Sequence, residues 1–141
     1  MQIRKLTAQI SVSPQILPGE LADLAAAGFR SVINNRPDGE AEDQPTSAEM
    51  AQAAAAHGLV YRHIPVVPGQ YQPGVIDAMA QALGELPAPV LAFCRTGTRS
   101  TSLWALQAAA DADAHALVKA AGDAGYDLAA LAPRLRAARH A

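Results

Sequence analysis

The sequence predicts an α/β fold with a mostly parallel central sheet and helices on both of its faces. Short runs rich in aliphatic and β-branched residues alternate with longer amphipathic segments, and Gly, Pro, Asn and Asp mark most of the junctions. This alternation is typical of parallel strands joined by helical crossovers. The chain has 141 residues, half of them hydrophobic, and we expect one domain over residues 1–141.

Each predicted element has start and stop signals in the sequence. The helices carry apolar residues at helical spacing, and one of them begins with a capping box formed by Thr46 and Glu49. Gly28 and Gly58 end the first two helices. The predicted strands span residues 3–6, 9–12, 29–34, 59–64 and 89–93. The predicted helices run from 18 to 28, from 46 to 56, from 74 to 83, onward from 99, from 114 to 121, and from 127 with a restart at 133.

Charge and hydropathy exclude several classes of protein. The net charge is −2 and the basic residues form no long cluster, so nothing indicates nucleic-acid binding. No apolar run approaches the ~18 residues of a membrane span, and residues 1–5 lack the apolar core of a signal peptide. The single cysteine cannot form an internal disulfide. We therefore expect a cytoplasmic protein with no nucleic-acid or membrane partner.

The strongest functional signal is the run Cys94-Arg95-Thr96-Gly97-Thr98-Arg99-Ser100, which lies where the strand over 89–93 turns into a helix. Backbone N–H groups and the helix dipole converge at such a turn, and the flanking guanidinium groups favour the thiolate over the thiol. We therefore interpret Cys94 as a nucleophile. In the alternative interpretation, Cys94 is a small core hydrophobe, but a core thiol has no need of Arg95 and Arg99 beside it.

The predicted topology places other loops close to Cys94. In open parallel sheets, ligands lie beyond the carboxyl ends of the strands. The segments after Asn34, Ile64 and Phe93 all leave strands at that end. We therefore expect three loops to surround one pocket.

Three segments together resemble a known family. They are 32–40 (Val-Ile-Asn-Asn-Arg-Pro-Asp-Gly-Glu), 61–66 (Tyr-Arg-His-Ile-Pro-Val) and the run from 94 to 100. Together they are similar to the phosphatase-like domain of bacterial beta-lactamase hydrolase-like proteins, a branch of the dual-specificity phosphatase fold. The resemblance covers residues 1–110 and extends to the run 124–128 (Ala-Gly-Tyr-Asp-Leu). It implies a cysteine phosphatase-like fold and a small anionic substrate.

Two features depart from the phosphatase pattern. The loop holds four residues between Cys94 and Arg99, one fewer than in cysteine phosphatases, and resembles the Cys-Arg-x-Gly-x-Arg loop of rhodanese-type sulfurtransferases. Related phosphatases also carry an aspartate that protonates the leaving alkoxide, in the loop that corresponds to residues 65–71. That loop contains no carboxylate here.

The turn over residues 35–40 supplies further candidates. Asp38 or Glu40 is a candidate substitute for the missing acid, although Pro-Asp-Gly is a strong turn sequence by itself and ordinary turn chemistry is the favoured interpretation of Asp38. Arg36 either binds the anionic part of a substrate or pairs with Asp38 or Glu42.

The two arginines of the loop receive different roles. We expect Arg99 to turn its planar guanidinium toward a bound oxyanion, a geometry that lysine cannot reproduce. We expect Arg95 to point outward, toward an anionic substrate or toward Glu40.

The remaining loop residues are candidate donors. Thr96, Gly97 and Thr98 are expected to contribute backbone N–H groups, with Gly97 at positive φ. Ser100 is expected to donate its hydroxyl to the sulfur of Cys94, or to cap the following helix. The four histidines show no ligand spacing, so no metal or cofactor is expected.

Three functions are compatible with these residues. In the first, Cys94 accepts sulfane sulfur from thiosulfate or a persulfide and passes it to an external thiol acceptor, since the chain has no second cysteine. In the second, it hydrolyses a phosphoester through a phosphocysteine. In the third, the thiol serves a non-catalytic anion-binding or redox-sensing module. The four-residue loop and the missing acid favour sulfur transfer.

Overall fold

A five-stranded sheet with helices on both faces forms the centre of the computed structural model, which describes residues 1–139. All predicted strands and helices form, with small shifts in their bounds. The strands are β1 (Arg4–Lys5), β2 (Ile10–Ser13), β3 (Ser31–Asn34), β4 (Val60–His63) and β5 (Val90–Phe93). The helices are α1 (Leu21–Ala26), α2 (Ser47–Ala56), α3 (Pro73–Glu85), α4 (Thr98–Ala108), α5 (Ala114–Asp123) and α6 (Ala132–Arg139).

The sheet has the strand order β1-β2-β5-β3-β4, and only β1 runs antiparallel to its neighbour. The prediction of a mostly parallel sheet is therefore confirmed. Phe93 at the end of β5 is opposite Ser13 of β2 and Asn34 of β3, and Asn34 is opposite His63 of β4. Because four parallel strands end at the same level, the segments that follow them meet at one edge of the sheet.

The side chains of the strands alternate between two cores, as expected for a sheet covered on both faces. On one face, Leu91 and Phe93 pack with Leu24 of α1 and Met50 of α2. On the other face, Val90 and Ala92 belong to a larger cluster to which α3, α4, α5 and α6 contribute. The fully buried residues of this second cluster include Val12, Ile33, Met79, Leu103 and Leu135.

Local signals account for where several helices begin. The predicted capping box forms at α2, where Thr46 Oγ1 accepts from Glu49 N at 3.1 Å. The first helix is shorter than predicted because a 3-10 turn over Pro18–Glu20 precedes α1. Pro133 lies in the first turn of α6. Backbone N–H groups there have no partner within the helix, so the missing N–H of proline costs no hydrogen bond. No helix within residues 1–139 has the length and apolar character needed to cross a bilayer.

Candidate active site

Cys94 follows β5 directly and lies at the bottom of the loop that leads into α4. The residue is fully buried. Gly97 is the N-cap of α4 and adopts φ 97° and ψ −12°, so the predicted positive φ is confirmed. The N–H of Gly97 donates to the sulfur of Cys94 at 3.1 Å. One backbone donor of the loop is thus directed at the sulfur.

The start of α4 is open to a ligand. Its N-cap Gly97 offers no side-chain acceptor, so the first turn lacks the N-cap side chain that most helices supply. The N–H of Thr98 donates to the hydroxyl oxygen of Thr96 at 3.4 Å, and that hydroxyl donates to the hydroxyl of Thr98 at 3.1 Å. The first turn and the helix dipole therefore present partial positive charge beside the thiol.

Arg99 is buried, and most of its guanidinium is occupied by protein groups. Nη1 and Nη2 donate to the two carboxylate oxygens of Glu40 at 2.8 and 2.9 Å, and Nη1 also donates to the carbonyl oxygen of Val66 at 2.9 Å. Within residues 1–139, the N–H of Nε and the second N–H of Nη2 have no hydrogen-bond partner. These two donors share one edge of the planar group, which is the edge that can hold an oxyanion with two bonds.

Glu40 joins two arginines at this site. Besides Arg99, it accepts a hydrogen bond from Nε of Arg36 at 2.9 Å. The hydrogen bond from Arg99 holds the pKa of Glu40 below its ordinary value, with a further contribution from Arg36 and against the effect of burial. The same contact raises the pKa of Arg99, and the charge of Cys94 contributes in the same direction. Glu40 is therefore an ionised anchor for the arginines and is unsuited to act as an acid.

The structure corrects the expectations for Arg36 and Arg95. Arg36 is buried and pairs with Glu40 rather than with Asp38 or Glu42, and its Nη1 donates to Gln15 Oε1 at 3.1 Å. The chain reverses at Gly39, which has φ 80°, and this turn returns Glu40 to Arg36. Arg95 is exposed, in agreement with the expected outward direction, but Glu40 binds Arg36 and Arg99 instead of Arg95.

Ser100 also differs from its expected role. Its hydroxyl donates to Asn35 Oδ1 at 2.8 Å instead of to the sulfur of Cys94. It does not cap α4 either, because the helix begins two residues earlier at Thr98. Asn35 in turn donates to the carbonyl oxygen of Ile64 at 3.0 Å. Sequence analysis did not assign a role to Asn35, although a polar residue directly after a buried strand was the available signal.

Asp38 contacts the start of α2. Its Oδ1 accepts a hydrogen bond from the N–H of Ser47 at 2.7 Å, at the first residue of α2. A carboxylate at this place is stabilised by the N-terminal end of the helix. This contact agrees with a structural role for Asp38 in the turn, and its role as a general acid stays a prediction.

Tyr126 is a further residue of the site that sequence analysis did not select. Its hydroxyl donates to the carbonyl oxygen of Thr96 at 3.1 Å, which places the ring against the Cys94 loop. Burial raises the pKa of Tyr126, and the charge of Cys94 adds to this effect. The signal for it was the run 124–128, which had been noted only as part of a resemblance. Among residues 1–139, no three His, Cys, Asp or Glu side chains form a cluster suited to a metal.

Sequence comparison identifies relatives of this chain. A family model described as the phosphatase-like domain of beta-lactamase hydrolase-like protein matches residues 2–112. Beta-lactamase hydrolase-like proteins of Agrobacterium fabrum (strain C58) and Xylella fastidiosa (strain Temecula1) are each 35% identical over 111 residues. That stretch is 79% of this chain and 26% of each relative, so the chain spans about a quarter of their length.

Solved structures show the same fold. A candidate phosphatase from Neisseria meningitidis Z2491 superposes with a TM-score of 0.88 and 35% identity, over 99% of each chain. A second one, from Shewanella putrefaciens CN-32, gives 0.75 and 18% over 96% and 91%. The catalytic core of the PP-IP phosphatase SIW14 from S. cerevisiae gives 0.70 and 13% over 95% and 82%. With its fold and most of its length matched, the chain belongs to the family of the phosphatase-like domain of beta-lactamase hydrolase-like proteins.

Proposed function

We propose that this domain is a group-transfer enzyme in which Cys94 is the nucleophile and sulfane sulfur is the group transferred. One observation carries the proposal, namely that both candidate acids, Asp38 and Glu40, are engaged by other groups. Glu40 is held ionised by Arg36 and Arg99, and Asp38 is bound at the start of α2. The loop over residues 65–71 contains no carboxylate.

Sulfur transfer does not require that acid. The Cys94 thiolate attacks the outer sulfur of thiosulfate, a new S–S bond forms, and sulfite leaves with the electron pair of the broken S–S bond. Sulfite leaves as an anion and takes up no proton in this step. The product is a Cys94 persulfide, whose terminal sulfur carries the negative charge.

The described groups can stabilise both the donor and the persulfide. The N–H groups at Gly97 and in the first turn of α4 lie where the new anionic sulfur forms. The remaining edge of Arg99 suits the sulfonate oxygens of the donor. Only four residues separate Cys94 from Arg99, and a short loop suits one sulfur atom better than a tetrahedral phosphoryl group.

The cycle needs an acceptor from outside the chain. Cys94 is the only cysteine, so an external thiolate attacks the terminal sulfur, forms a new persulfide and releases the Cys94 thiolate. A reducing cytoplasm, which remains a prediction for this protein, supplies such thiols.

Phosphoester hydrolysis is the second candidate, and the family favours it. The matched family is described as phosphatase-like, and the solved relatives named above are described as phosphatases or candidate phosphatases. In this candidate, the Cys94 thiolate attacks phosphorus, the P–O bond to the alcohol breaks, and the alkoxide or phenolate leaves with its electron pair. Water then cleaves the S–P bond and releases phosphate and the Cys94 thiolate. Without an acid, esters with good leaving groups, such as aryl phosphates, are the expected substrates.

One experiment distinguishes the candidates. The protein is incubated with thiosulfate and analysed by mass spectrometry, and turnover is followed with cyanide or glutathione as acceptor. A parallel sample receives an aryl phosphate, and Cys94→Ser is the control for both. We expect the peptide that contains Cys94 to gain one sulfur atom and the variant to lose this gain together with turnover.

The other outcomes are equally informative. Phosphate release that depends on Cys94, without sulfur loading, supports the second candidate and refutes the first. If neither reaction occurs, the remaining interpretation is a non-catalytic anion-binding or redox-sensing module.

A further inference from the structure

Tyr126 reaches the Cys94 loop from a part of the chain that the family model does not cover. It follows α5 in a tight turn, where Gly125 adopts φ 96°. The N–H of Tyr126 donates to the carbonyl oxygen of Ala121 at 2.8 Å, and that of Gly125 donates to Gly122 at 3.0 Å. These two bonds form a Schellman motif, in which a left-handed glycine ends the helix. The motif fixes the direction in which the tyrosine leaves α5.

The hydroxyl of Tyr126 contacts a single peptide unit of the loop. It donates to the carbonyl oxygen of Thr96 at 3.1 Å. It also lies directly against Gly97, because a Cβ atom built at that glycine would overlap the hydroxyl oxygen. Any side chain at residue 97 would therefore displace the tyrosine.

The same peptide unit donates to the sulfur. The carbonyl of Thr96 and the N–H of Gly97 are the two polar ends of one planar peptide and point in opposite directions. The N–H end bonds the sulfur of Cys94 at 3.1 Å, and the carbonyl end bonds Tyr126. A rotation of this peptide would turn the N–H away from the sulfur, and it would also break the bond to the phenol.

We propose that Tyr126 is a positioning residue that fixes the Thr96–Gly97 peptide so that its N–H stabilises the Cys94 thiolate. The proposal rests on the role of Cys94 as the nucleophile. It does not depend on whether sulfur or a phosphoryl group is transferred. A phenol is protonated at neutral pH and so remains a donor, and burial, which raises the pKa of Tyr126, acts in the same direction.

The test removes only the hydroxyl. In Tyr126→Phe the ring stays in place, and alkylation of Cys94 by iodoacetamide is followed from acidic to alkaline pH. We expect the midpoint of the pH profile to move to higher pH and the rate at pH 7 to fall about three- to tenfold, as for the loss of one hydrogen bond. In a turnover assay, we expect the loss in kcat with little change in KM.

Tyr61→Phe is the matched control. Tyr61 is also half-buried, and its hydroxyl contacts Asn34 and Ser47 rather than a residue of the Cys94 loop. Both variants can lower the unfolding temperature, but only Tyr126→Phe should move the midpoint of alkylation. A change in access alone would scale the rate at every pH and leave the midpoint in place.

An unchanged midpoint in Tyr126→Phe, or an equal change in Tyr61→Phe, would overturn the proposal. Because alkylation uses no substrate, the comparison stands even if neither thiosulfate nor an aryl phosphate is turned over. Failure of the proposed function and failure of this inference are therefore distinguishable.

Discussion

The segments that follow β3 and β5 leave neighbouring strands at the same edge, yet their polar groups are satisfied in opposite ways. After β3, most side chains bind one another or nearby backbone, as Arg36 does with Glu40 and Asp38 does with the N–H of Ser47, and Gln44 Oε1 is the exception, buried without a partner within residues 1–139. After β5, the first turn of α4 has no side-chain cap and the sulfur of Cys94 receives a backbone donor.

The segment after β3 therefore supports the site, whereas the segment after β5 forms it. A ligand gains most from donors that are already oriented and not yet paired, because no reorganisation is needed when it binds. Such donors stay oriented only if the groups around them are held firmly. The segment after β3, where most polar side chains are paired, supplies this support, and Arg99 connects the two segments because it binds Glu40 with one edge and leaves another open.

Arg99→Lys should have the largest effect, since it removes the connection between the two segments. An ammonium group cannot hold both oxygens of Glu40 and also present two donors to an oxyanion. We expect turnover to fall about a hundredfold, comparable with the loss of an oxyanion donor. The free energy of unfolding should fall by about 1–2 kcal/mol, because a charged hydrogen bond is lost. Steady-state kinetics and thermal unfolding measure the two effects.

Arg62→Lys is the control for this substitution. Arg62 pairs with Glu85 at the surface, with a distance of 3.0 Å and both side chains well exposed. We expect it to change neither turnover nor stability appreciably. Wild-type turnover in Arg99→Lys would exclude Arg99 from the site.

Glu40→Gln should weaken the support without removing a group that contacts substrate. It leaves Arg36 and Arg99, both largely buried, without their shared counter-charge. We expect a loss of about 2 kcal/mol in the free energy of unfolding, since Glu40 keeps some exposure to water. Turnover should fall less than in Arg99→Lys, because the guanidinium remains but is less firmly placed. Chemical denaturation and kinetics provide the measurements.

The pH dependence of stability has a definite sign at Glu40. Its pKa in the folded protein lies below the ordinary value of 4.5, so its contribution is fully present above that value. The contribution is lost as pH falls through the lower, folded-state pKa. Glu40→Gln should therefore lose less stability than the wild type when the pH is lowered through this range.

Glu85→Gln is the matched control, because Glu85 also has a lowered pKa, caused first by a hydrogen bond from Gln81 and then by Arg62. Glu85 is exposed, so its variant should be nearly as stable as the wild type. Equal losses in the two variants would show that Glu40 supports the site no more than a surface carboxylate does.

The structure of the segment after β5 is predicted better from the sequence than that of the segment after β3. The elements and the loop from Cys94 depend on local signals, such as the apolar run of β5 and the glycine at 97. Each of these signals lies within a few residues of sequence, so it can be recognised without knowledge of the tertiary structure. The positive φ of Gly97 is an example, because the tight turn before α4 requires it.

The partners of the polar side chains depend on geometry that the sequence does not contain. Asp38 and Glu40 lie in one turn, and composition alone gives no reason for one to bind α2 and the other to bind two arginines. The bend at Gly39 decides it. Tyr126 was missed for a similar reason, since it approaches the loop across 30 residues of sequence.

Asp38→Asn should have the smallest effect on turnover and stability. It tests whether the segment after β3 contains a catalytic acid. Asn keeps an oxygen that can accept from the N–H of Ser47 and loses only the charge near the start of α2. We expect a loss of about 0.3–1 kcal/mol, the value of a charge at a helix terminus. Turnover should stay within about twofold of the wild type, because a carboxylate bound at α2 does not protonate a leaving group at Cys94. The kinetics are measured across pH with both thiosulfate and an aryl phosphate.

Asp113→Asn provides the comparison, because Asp113 occupies a similar place at the start of α5, where its Oδ2 accepts from Ala116 N at 3.1 Å. If Asp38 only stabilises a helix, the two variants should behave alike in kinetics and in unfolding. A roughly hundredfold loss of turnover in Asp38→Asn alone, with loss of the alkaline limb of the pH profile, would identify Asp38 as a general acid. That result would favour phosphoester hydrolysis, since sulfur transfer from thiosulfate has no step for such an acid to assist.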